Sequence, residues 1–359
     1  MSAIYRPTAA AVGMAFACSG RRHLFITGSK GSGKTTLLSQ LMPSPQCGIV
    51  TRAEPGQAVY LRELQTGQTV QVGRFCADIQ GAENKMRPLP QGFDVAGVAA
   101  LERCARAEGE QVYIDEIGYL ETTSVAYCAA VRALMAQKQV FAAVRKQELP
   151  FLHELLTRED VFTIDLDAPY GNLGCVIMAS GMGRRFGSNK LLADFDGAPL
   201  FARSLAVTEG IFARRAVVTR HADIARYCAA RGIEAVLHDL PHRSDTVRLG
   251  LEAVGDVDGC LFCPADQPLL RQDTVAALAM AAVHDGRVIM RPAYEGAQGA
   301  PVLFPARMFS ALRTLPEGVG GGHVIRQYPD CVRTVAVCDG YELADVDTPE
   351  DLRSLQNRI

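Results

Sequence analysis

A glycine-rich segment in the middle of the chain carries residues that could bind a nucleoside triphosphate. Small residues and cations follow an apolar run at positions 175–178: Ala179, Ser180, Gly181, Gly183, Arg184, Arg185 and Lys190. Small residues let backbone N–H groups approach phosphates, and the cations neutralise the charge of about −4 on a triphosphate. We therefore predict a buried strand that runs into a nucleotide-binding loop.

A second phosphate-binding pattern lies near the N-terminus. The apolar residues 23–27 lead into GSKGSGKT at positions 28–35, and a helical run follows. This is the G-x-x-x-x-G-K-[ST] pattern in its strand–loop–helix context. Its predicted nucleotide ligands are Gly28, Gly31, Gly33, Lys34, Thr35 and Thr36. The lysine would reach the β- and γ-phosphates of ATP or GTP, and Thr35 would ligate Mg²⁺.

A phosphate-binding loop of this kind needs an acidic partner on a second strand. Asp115 and Glu116 follow the apolar residues 111–114. Asp115 would hold the water shell of Mg²⁺, and Glu116 would orient or activate the attacking water. An acidic turn without catalytic function is the alternative interpretation.

Acidic residues also follow predicted strands in the second half of the chain. Asp266 ends the apolar run 259–263, and Asp345 and Asp347 precede the last helix. If 345–347 is extended, the two carboxylates point to opposite faces, so only one would reach a metal ion. Asp347 could instead cap the helix, with Glu350 completing a capping box.

Length and composition limit the classes of function. A chain of 359 residues exceeds one ordinary core, and 48% hydrophobic and 21% charged residues are typical of a globular protein. The net charge of −2 provides no electrostatic basis for binding nucleic acid or a membrane surface. The 11 cysteines are odd in number and lie in apolar contexts, which favours reduced thiols and a cytoplasmic location.

The order of elements predicts two α/β domains. We place a P-loop domain at residues 1–168, with its core at 22–168, and a second domain at 169–359, because proline and glycine interrupt the periodicity between 165 and 174. Alternating strands and helices in the second domain predict a mostly parallel sheet that binds ligands at the carboxyl ends of its strands.

Residues 22–168 resemble the small nucleoside-triphosphatase family that is related to adenylate-type kinases. Besides the P-loop, the chain shares a Gly-x-x-Thr strand at 48–51, a Thr-Gly hairpin at 66–67 and an Asp-Glu-Ile-Gly segment at 115–118. It departs from that family at Tyr119, where Lys is usual, and at Arg145, where His is frequent. The resemblance implies a three-layer α/β/α P-loop NTPase fold.

Residues 174–357 resemble the molybdenum cofactor nucleotidyltransferases. The shared signature is Ala179-Ser180-Gly181, Arg185-Phe186-Gly187 and Lys190. The resemblance implies a three-layer α/β/α, Rossmann-like nucleotidyltransferase fold of the GT-A-like type. It further implies that Asp266 and Asp347 hold Mg²⁺, that Arg185 and Lys190 stabilise the phosphates during catalysis, and that Ser244 and Thr246 contact the base or ribose.

The resemblance implies transfer of CMP from CTP to molybdopterin with release of pyrophosphate, in the maturation of molybdenum hydroxylases. The preference for CTP rests on Ser180, because guanylyl-transferring relatives usually carry glycine there. GTP as the donor is the first alternative. In the second, the chain is a nucleotide-switched accessory protein that delivers finished molybdenum cofactor to an apoenzyme.

Overall fold

The computed structural model describes residues 3–77, 85–89, 91–183 and 185–358. Arg184, one of the predicted phosphate ligands, lies outside the described residues. The chain divides into a P-loop unit, Gly20–Pro169, and a C-terminal unit formed by the chain up to Ser19 together with the chain from Tyr170 onward. The N-terminal residues, which the sequence analysis assigned to the first domain, therefore pack in the second unit.

The first helix of the chain, α1 (Ala9–Ser19), belongs to the C-terminal unit. The P-loop unit contains eight described strands, β1 (His23–Thr27), β2 (Gly48–Glu54), β3 (Ala58–Glu63), β4 (Thr69–Phe75), β5 (Met86–Pro88), β6 (Gln111–Ile117), β7 (Gln139–Val144) and β8 (Val161–Asp165). They form one sheet in the order β5-β4-β3-β2-β6-β7-β1-β8. Strands β2, β6, β7, β1 and β8 are parallel, and β3, β4 and β5 extend the sheet in antiparallel fashion.

The described helices of the P-loop unit are α2 (Lys34–Leu41), α3 (Val98–Arg106), α4 (Tyr119–Thr122), α5 (Val125–Gln137) and α6 (Pro150–Leu156). The hydrophobic core lies between the sheet and helices α3, α5 and α6, with Phe25, Ile114 and Tyr127 among its buried members. Because β1 and β6 are buried central strands, the residues that follow them meet at one edge of the sheet.

The remaining strands belong to the C-terminal unit: β9 (Leu173–Ala179), β10 (Asp194–Phe195), β11 (Ala198–Pro199), β12 (Arg214–Thr219), β13 (Glu234–Leu237), β14 (Gly259–Pro264), β15 (Ile289–Tyr294), β16 (Ala297–Gln298), β17 (Val302–Pro305) and β18 (Val332–Ala336). The large sheet runs β13-β12-β9-β14-β17-β15-β16, with β18 paired to β15. Its half around β9 is parallel, whereas β17 is antiparallel to β14 and β15, so the predicted mostly parallel sheet is a mixed one.

The described part of this unit contains seven further helices: α7 (Ala202–Val207), α8 (Ala222–Ala229), α9 (Arg243–Val254), α10 (Gln272–His284), α11 (Phe309–Arg313), α12 (Gly322–Gln327) and α13 (Pro349–Gln356). The sequence predicts a longer helix at 199–209 than the α7 that forms. Its first residue, Pro199, instead belongs to β11, which pairs with β10 in a small hairpin, and α7 begins at Ala202.

Helix α1 packs against α10 inside the C-terminal unit. Ala11, Val12 and Ala15 are fully buried. Before the helix, the hydroxyls of Tyr5 and Thr8 both donate to Asp273 Oδ1 at the start of α10, at 2.8 and 2.7 Å. The N-terminal segment is therefore joined to this unit by both apolar packing and hydrogen bonds to a carboxylate.

All eleven cysteines are free thiols, and Cys260 and Cys263 are buried in β14. In the described part of the chain, no helix has the length and apolarity that crossing a membrane requires.

Candidate functional site

The P-loop connects β1 to α2 and adopts a conformation that needs glycine. Gly28, Gly31 and Gly33 have φ values of 143°, 80° and 101°. A Cβ atom on Gly28 would lie 2.8 Å from the hydroxyl of Ser32, so a side chain there would also meet the loop itself. The loop, together with Thr36, lines a cavity of about 340 Å³.

Lys34 and Thr35 point into the same small region. The Lys34 ammonium donates to the carbonyl oxygens of Gly28 and Ser29, both at 2.8 Å, and so spans the loop where phosphates would lie. Thr35 Oγ1 donates to Asp115 Oδ1 at 2.9 Å. The structure thus brings together the two residues predicted to hold Mg²⁺, and their hard oxygen donors suit that ion.

Burial raises the pKa of Asp115, and the hydrogen bond from Thr35 and the charges of Arg52 and Lys34 oppose that rise. The Asp115 carboxylate and the Thr35 hydroxyl supply oxygen donors for a cation, while the charges of Lys34 and Arg52 suit the phosphates that would accompany it. Glu116 follows in the same strand, and its carboxylate forms an ion pair with Arg145. The predicted water-activating residue is therefore engaged by an arginine.

Asp167 is a residue of this site that the sequence analysis did not identify. Its carboxylate accepts hydrogen bonds from the backbone N–H of Ser29, at 2.9 and 3.0 Å, and from its hydroxyl, at 2.8 Å. These bonds, with the Lys146 ammonium, lower the pKa of Asp167 to about 2. Asp167 thus holds the P-loop from a position 138 residues away. An acidic residue just after the last strand was the only sequence signal.

The second site begins where β9 ends. Ser180 Oγ donates to the carbonyl oxygen of Val218 at 3.1 Å and lies 2.9 Å from His238 Nε2. His221 Nε2 lies 2.9 Å from the carbonyl oxygen of Gly181. Gly183 has a φ of 55°, and a Cβ atom there would lie 2.6 Å from the carbonyl oxygen of Ser188. The loop after Ala179 is thus held by β12 and by two histidines.

Lys190 joins the predicted catalytic and metal-binding residues. Its ammonium lies 2.8 Å from Asp266 Oδ2 and donates to Asp347 Oδ1 at 2.9 Å. Arg185 Nη1 donates to the other oxygen of Asp347, also at 2.9 Å. The backbone supports this grouping, because the N–H of Val346 donates to the carbonyl oxygen of Asp266.

The charges of this cluster affect one another. Burial lowers the pKa of Lys190, but the hydrogen bonds and charges of Asp266 and Asp347 outweigh it and raise that pKa above its usual value. The hydrogen bond from Lys190 and its charge lower the pKa of Asp347. A single ammonium is therefore shared by two carboxylates that come from different parts of the chain, and Arg185 adds a second positive charge at Asp347.

A cavity of about 630 Å³ adjoins the cluster. Its lining includes Ser180, Gly181, Thr246, Asp266, Asp345 and Gly320. Ser244 is not among the lining residues, so of the pair predicted to contact base or ribose only Thr246 faces this space. Asp345 does line it, and burial together with the charge of Asp266 raises the pKa of its carboxyl group.

The N-terminal cap of α13 is not Asp347, the residue that the sequence offered for this role. Thr348 is the capping residue, and its hydroxyl accepts from the N–H of Asp351 at 3.2 Å. The Asp351 carboxylate accepts in return from the N–H of Thr348 at 2.8 Å. The capping box is thus one residue further on than Asp347 and Glu350, which leaves the Asp347 side chain with Arg185 and Lys190.

Two family models match the chain. One, described as an NTPase, matches residues 23–169, and the other, described as a MobA-like NTP transferase domain, matches residues 175–332. The chain is 28% identical to a nucleoside-triphosphatase THEP1 of Thermotoga maritima over 159 residues, which cover 40% of this chain and 86% of that protein. It is 28% identical to a molybdenum cofactor guanylyltransferase of Rhodobacter capsulatus over 196 residues, which cover 51% of this chain and 95% of that protein.

A solved nucleotidyl transferase from Methanothermobacter thermautotroptrophicus aligns with 52% of this chain and 97% of its own, at 21% identity and a TM-score of 0.45. The two family matches adjoin and follow the order of the two sites along the chain. This protein is a fusion of a P-loop domain of the NTPase family with a MobA-like NTP transferase domain.

Proposed function

We propose that the C-terminal unit transfers CMP from CTP to molybdopterin and releases pyrophosphate, and that the P-loop unit hydrolyses ATP or GTP in the same maturation of molybdenum hydroxylases. The observation that carries the proposal is the contact of Lys190 with both Asp266 and Asp347, next to the loop 180–183. We place this activity in the cytoplasm, where the free thiols of the chain would stay reduced.

The proposed reaction joins two phosphates. An oxygen of the molybdopterin phosphate attacks the α-phosphorus of CTP, and the bond to the oxygen that bridges the α- and β-phosphorus atoms breaks. Lys190 and Arg185 hold the β- and γ-phosphates and stabilise the charge that develops on pyrophosphate. Asp266 and Asp347 would hold Mg²⁺, because their carboxylates already converge on one cation. Bound Mg²⁺ would reduce the repulsion between the two phosphates.

The choice of base rests on Ser180. Its side chain occupies space that a glycine would leave free, which favours the smaller pyrimidine, and its hydroxyl is fixed between Val218 and His238. GTP is the second candidate donor, supported by the similarity to a protein named as a guanylyltransferase. Both donors use the same residues for the phosphates.

The test is pyrophosphate release with Mg²⁺ and molybdopterin when CTP, GTP and ATP are offered separately. Release with CTP alone supports the proposal, and release with GTP alone transfers it to the guanylyl reaction. If ATP or GTP loses only its γ-phosphate, the transferase proposal fails in favour of an accessory protein that delivers the cofactor. Asp266→Ala should abolish transfer and spare hydrolysis, and Lys34→Ala should do the reverse.

A further inference from the structure

A second cavity adjoins the P-loop cavity, and neither site described above uses it. This cavity, which we call the side cavity, has a volume of about 470 Å³ and opens over the ends of β2 and β6. Sites for small ligands typically measure roughly 300–1,000 Å³. Lys30, Glu116 and Arg145 line both the side cavity and the P-loop cavity. The two spaces therefore share a charged wall.

The shared wall lies at the γ-phosphate end of the P-loop site. Lys34 serves the β- and γ-phosphates in loops of this type, and Thr35 with Asp115 marks the metal position beside them. Glu116 directly follows Asp115 in β6, and Arg145 follows β7, the neighbouring strand. A molecule in the side cavity would therefore lie next to the position of the γ-phosphate.

The lining of the side cavity combines cations with aromatic rings. Lys30, Lys85 and Arg145 bring positive charge, while the Glu116 carboxylate is already paired with Arg145. Burial raises the pKa of the other acidic residue, Glu121, to about 7, so a large fraction of it is neutral near that pH. The net charge of the lining is thus positive, which suits an anion.

Phe75 and Tyr119 contribute flat apolar surface to the same space. Phe75 is 39% exposed, a high value for a large apolar ring at the end of a strand. The Arg145 guanidinium lies 5.8 Å from the centre of the Tyr119 ring. A planar heteroaromatic group could stack on these rings while an attached phosphate reaches the cations.

We propose that the side cavity binds a nucleoside monophosphate and that the P-loop unit transfers the γ-phosphoryl group to it. An oxygen of the monophosphate forms a bond to the γ-phosphorus, and the bond to the oxygen bridging the β- and γ-phosphorus atoms breaks. A triphosphate of charge −4 and a monophosphate of charge −2 become two diphosphates of charge −3, so no proton is exchanged. Hydrolysis is then the reaction that occurs when water occupies the side cavity.

The role of Arg145 follows from its place in the shared wall. A guanidinium can bind two phosphate oxygens at once, and in this position it can contact both the γ-phosphate and the acceptor phosphate. When it does so, its ion pair with Glu116 is replaced by contacts to the ligands. Binding of a ligand in the side cavity would therefore free the Glu116 carboxylate from its ion pair with Arg145.

The experiment uses the full chain with γ-labelled ATP, Mg²⁺ and AMP, GMP, CMP or UMP in separate reactions, and it follows the label in diphosphate and in inorganic phosphate. We expect labelled diphosphate with at least one monophosphate. Lys34→Ala should abolish it and Asp266→Ala should leave it unchanged, which separates this activity from that of the C-terminal unit. This outcome does not depend on whether the molybdopterin proposal holds.

Variants of residues that line the side cavity test whether the monophosphate binds there. Phe75→Ala and Lys85→Ala should each lower the transfer rate at a subsaturating monophosphate concentration by about tenfold, because each removes one contact to base or phosphate. Hydrolysis of ATP alone should stay unchanged. Arg87→Ala is the matched control, since Arg87 is an exposed cation on β5 that does not line the cavity.

Three results would overturn the proposal. The first is label in inorganic phosphate alone with every monophosphate. The second is inhibition of hydrolysis by a monophosphate without any labelled diphosphate, since this shows binding without acceptance. The third is transfer that Phe75→Ala and Lys85→Ala both leave unchanged, because the acceptor would then bind elsewhere.

Discussion

Replacing Lys190 by methionine tests the central contact of the C-terminal unit. Methionine keeps most of the length of the side chain and removes its charge. The lysine side chain is 9% exposed, and the substitution leaves the carboxylates of Asp266 and Asp347 without their shared cation. Removing one partner of a fully buried ion pair costs roughly 3–5 kcal/mol. The Asp266 and Asp347 side chains are 23% and 44% exposed, so water screens part of their repulsion. We therefore expect the substitution to lower the free energy of unfolding by about 1–2 kcal/mol.

The effect on catalysis should be larger than the effect on stability. Loss of one preorganised positive group at a developing charge typically lowers kcat about 10²–10³-fold. We therefore expect pyrophosphate release to fall by that factor while the variant remains folded at 25 °C. The raised pKa of Lys190 means that its stabilising charge is fully present below pH 10.5 and is lost as the pH rises through the higher folded-state value, so an assay at pH 7 measures the full effect.

The measurements are urea denaturation with and without Mg²⁺ and steady-state pyrophosphate release. If the two carboxylates form a cation site, Mg²⁺ should stabilise the variant more than the natural protein, because no ammonium competes with it. Lys146→Met is the matched control, since Lys146 also bridges two carboxylates, those of Asp165 and Asp167, but in the P-loop unit. Release within threefold of the natural rate would refute the assigned role of Lys190.

Further predictions concern stability and loop geometry. Burial lowers the pKa of His23 to about 4, so the neutral imidazole contributes its full stability above pH 6.5. As the pH falls to 4, about 3 kcal/mol of the free energy of unfolding should be lost. Urea denaturation across this pH range should show the loss, and the His23→Gln variant should not show it. Asp273→Ala removes the acceptor of the Tyr5 and Thr8 hydroxyls and should cost about 2 kcal/mol, with faster hydrogen exchange in α1 as the direct readout. Gly183→Ala should weaken triphosphate binding about tenfold in calorimetry, because alanine is strained at that φ and would meet Ser188; unchanged affinity would contradict the geometry described for the loop.

The strand–loop–helix form of the P-loop could be predicted from the sequence because its signals are local, whereas the nucleotide-binding roles of its residues stay predictions. Strand β1, the loop and the start of α2 are contiguous, and the glycines are needed for a backbone conformation that few other residues adopt. The approach of Asp266 to the loop after β9 could be expected, since β9 and β14 are neighbouring parallel strands whose carboxyl ends meet at one edge. The direct contact of Lys190 with Asp266 and Asp347 was not predicted, because Asp347 follows a turn far along the chain and not one of these strands.

The features that were not predicted depend on distant parts of the chain. Helix α1 is apolar on nearly all sides, so it has no periodicity to indicate which face is buried, and its position depends on α10 and β18, which lie far along the chain. The helix predicted from Pro199 onward begins only at Ala202, because Ala198 and Pro199 pair with Phe195 and Asp194 in the short hairpin of β10 and β11. Asp167 holds Ser29 through contacts that no local pattern encodes.

The position of α1 has a consequence for biosynthesis. This helix leaves the ribosome long before its packing partner α10, which begins about 250 residues further along the chain. At a translation rate of roughly 5–20 residues per second, the helix waits on the order of 10–50 s for that partner. The P-loop unit is synthesised and can fold during this interval, while an apolar N-terminal segment remains uncovered. An apolar helix of the nascent chain therefore stays without this packing partner until translation has passed α10.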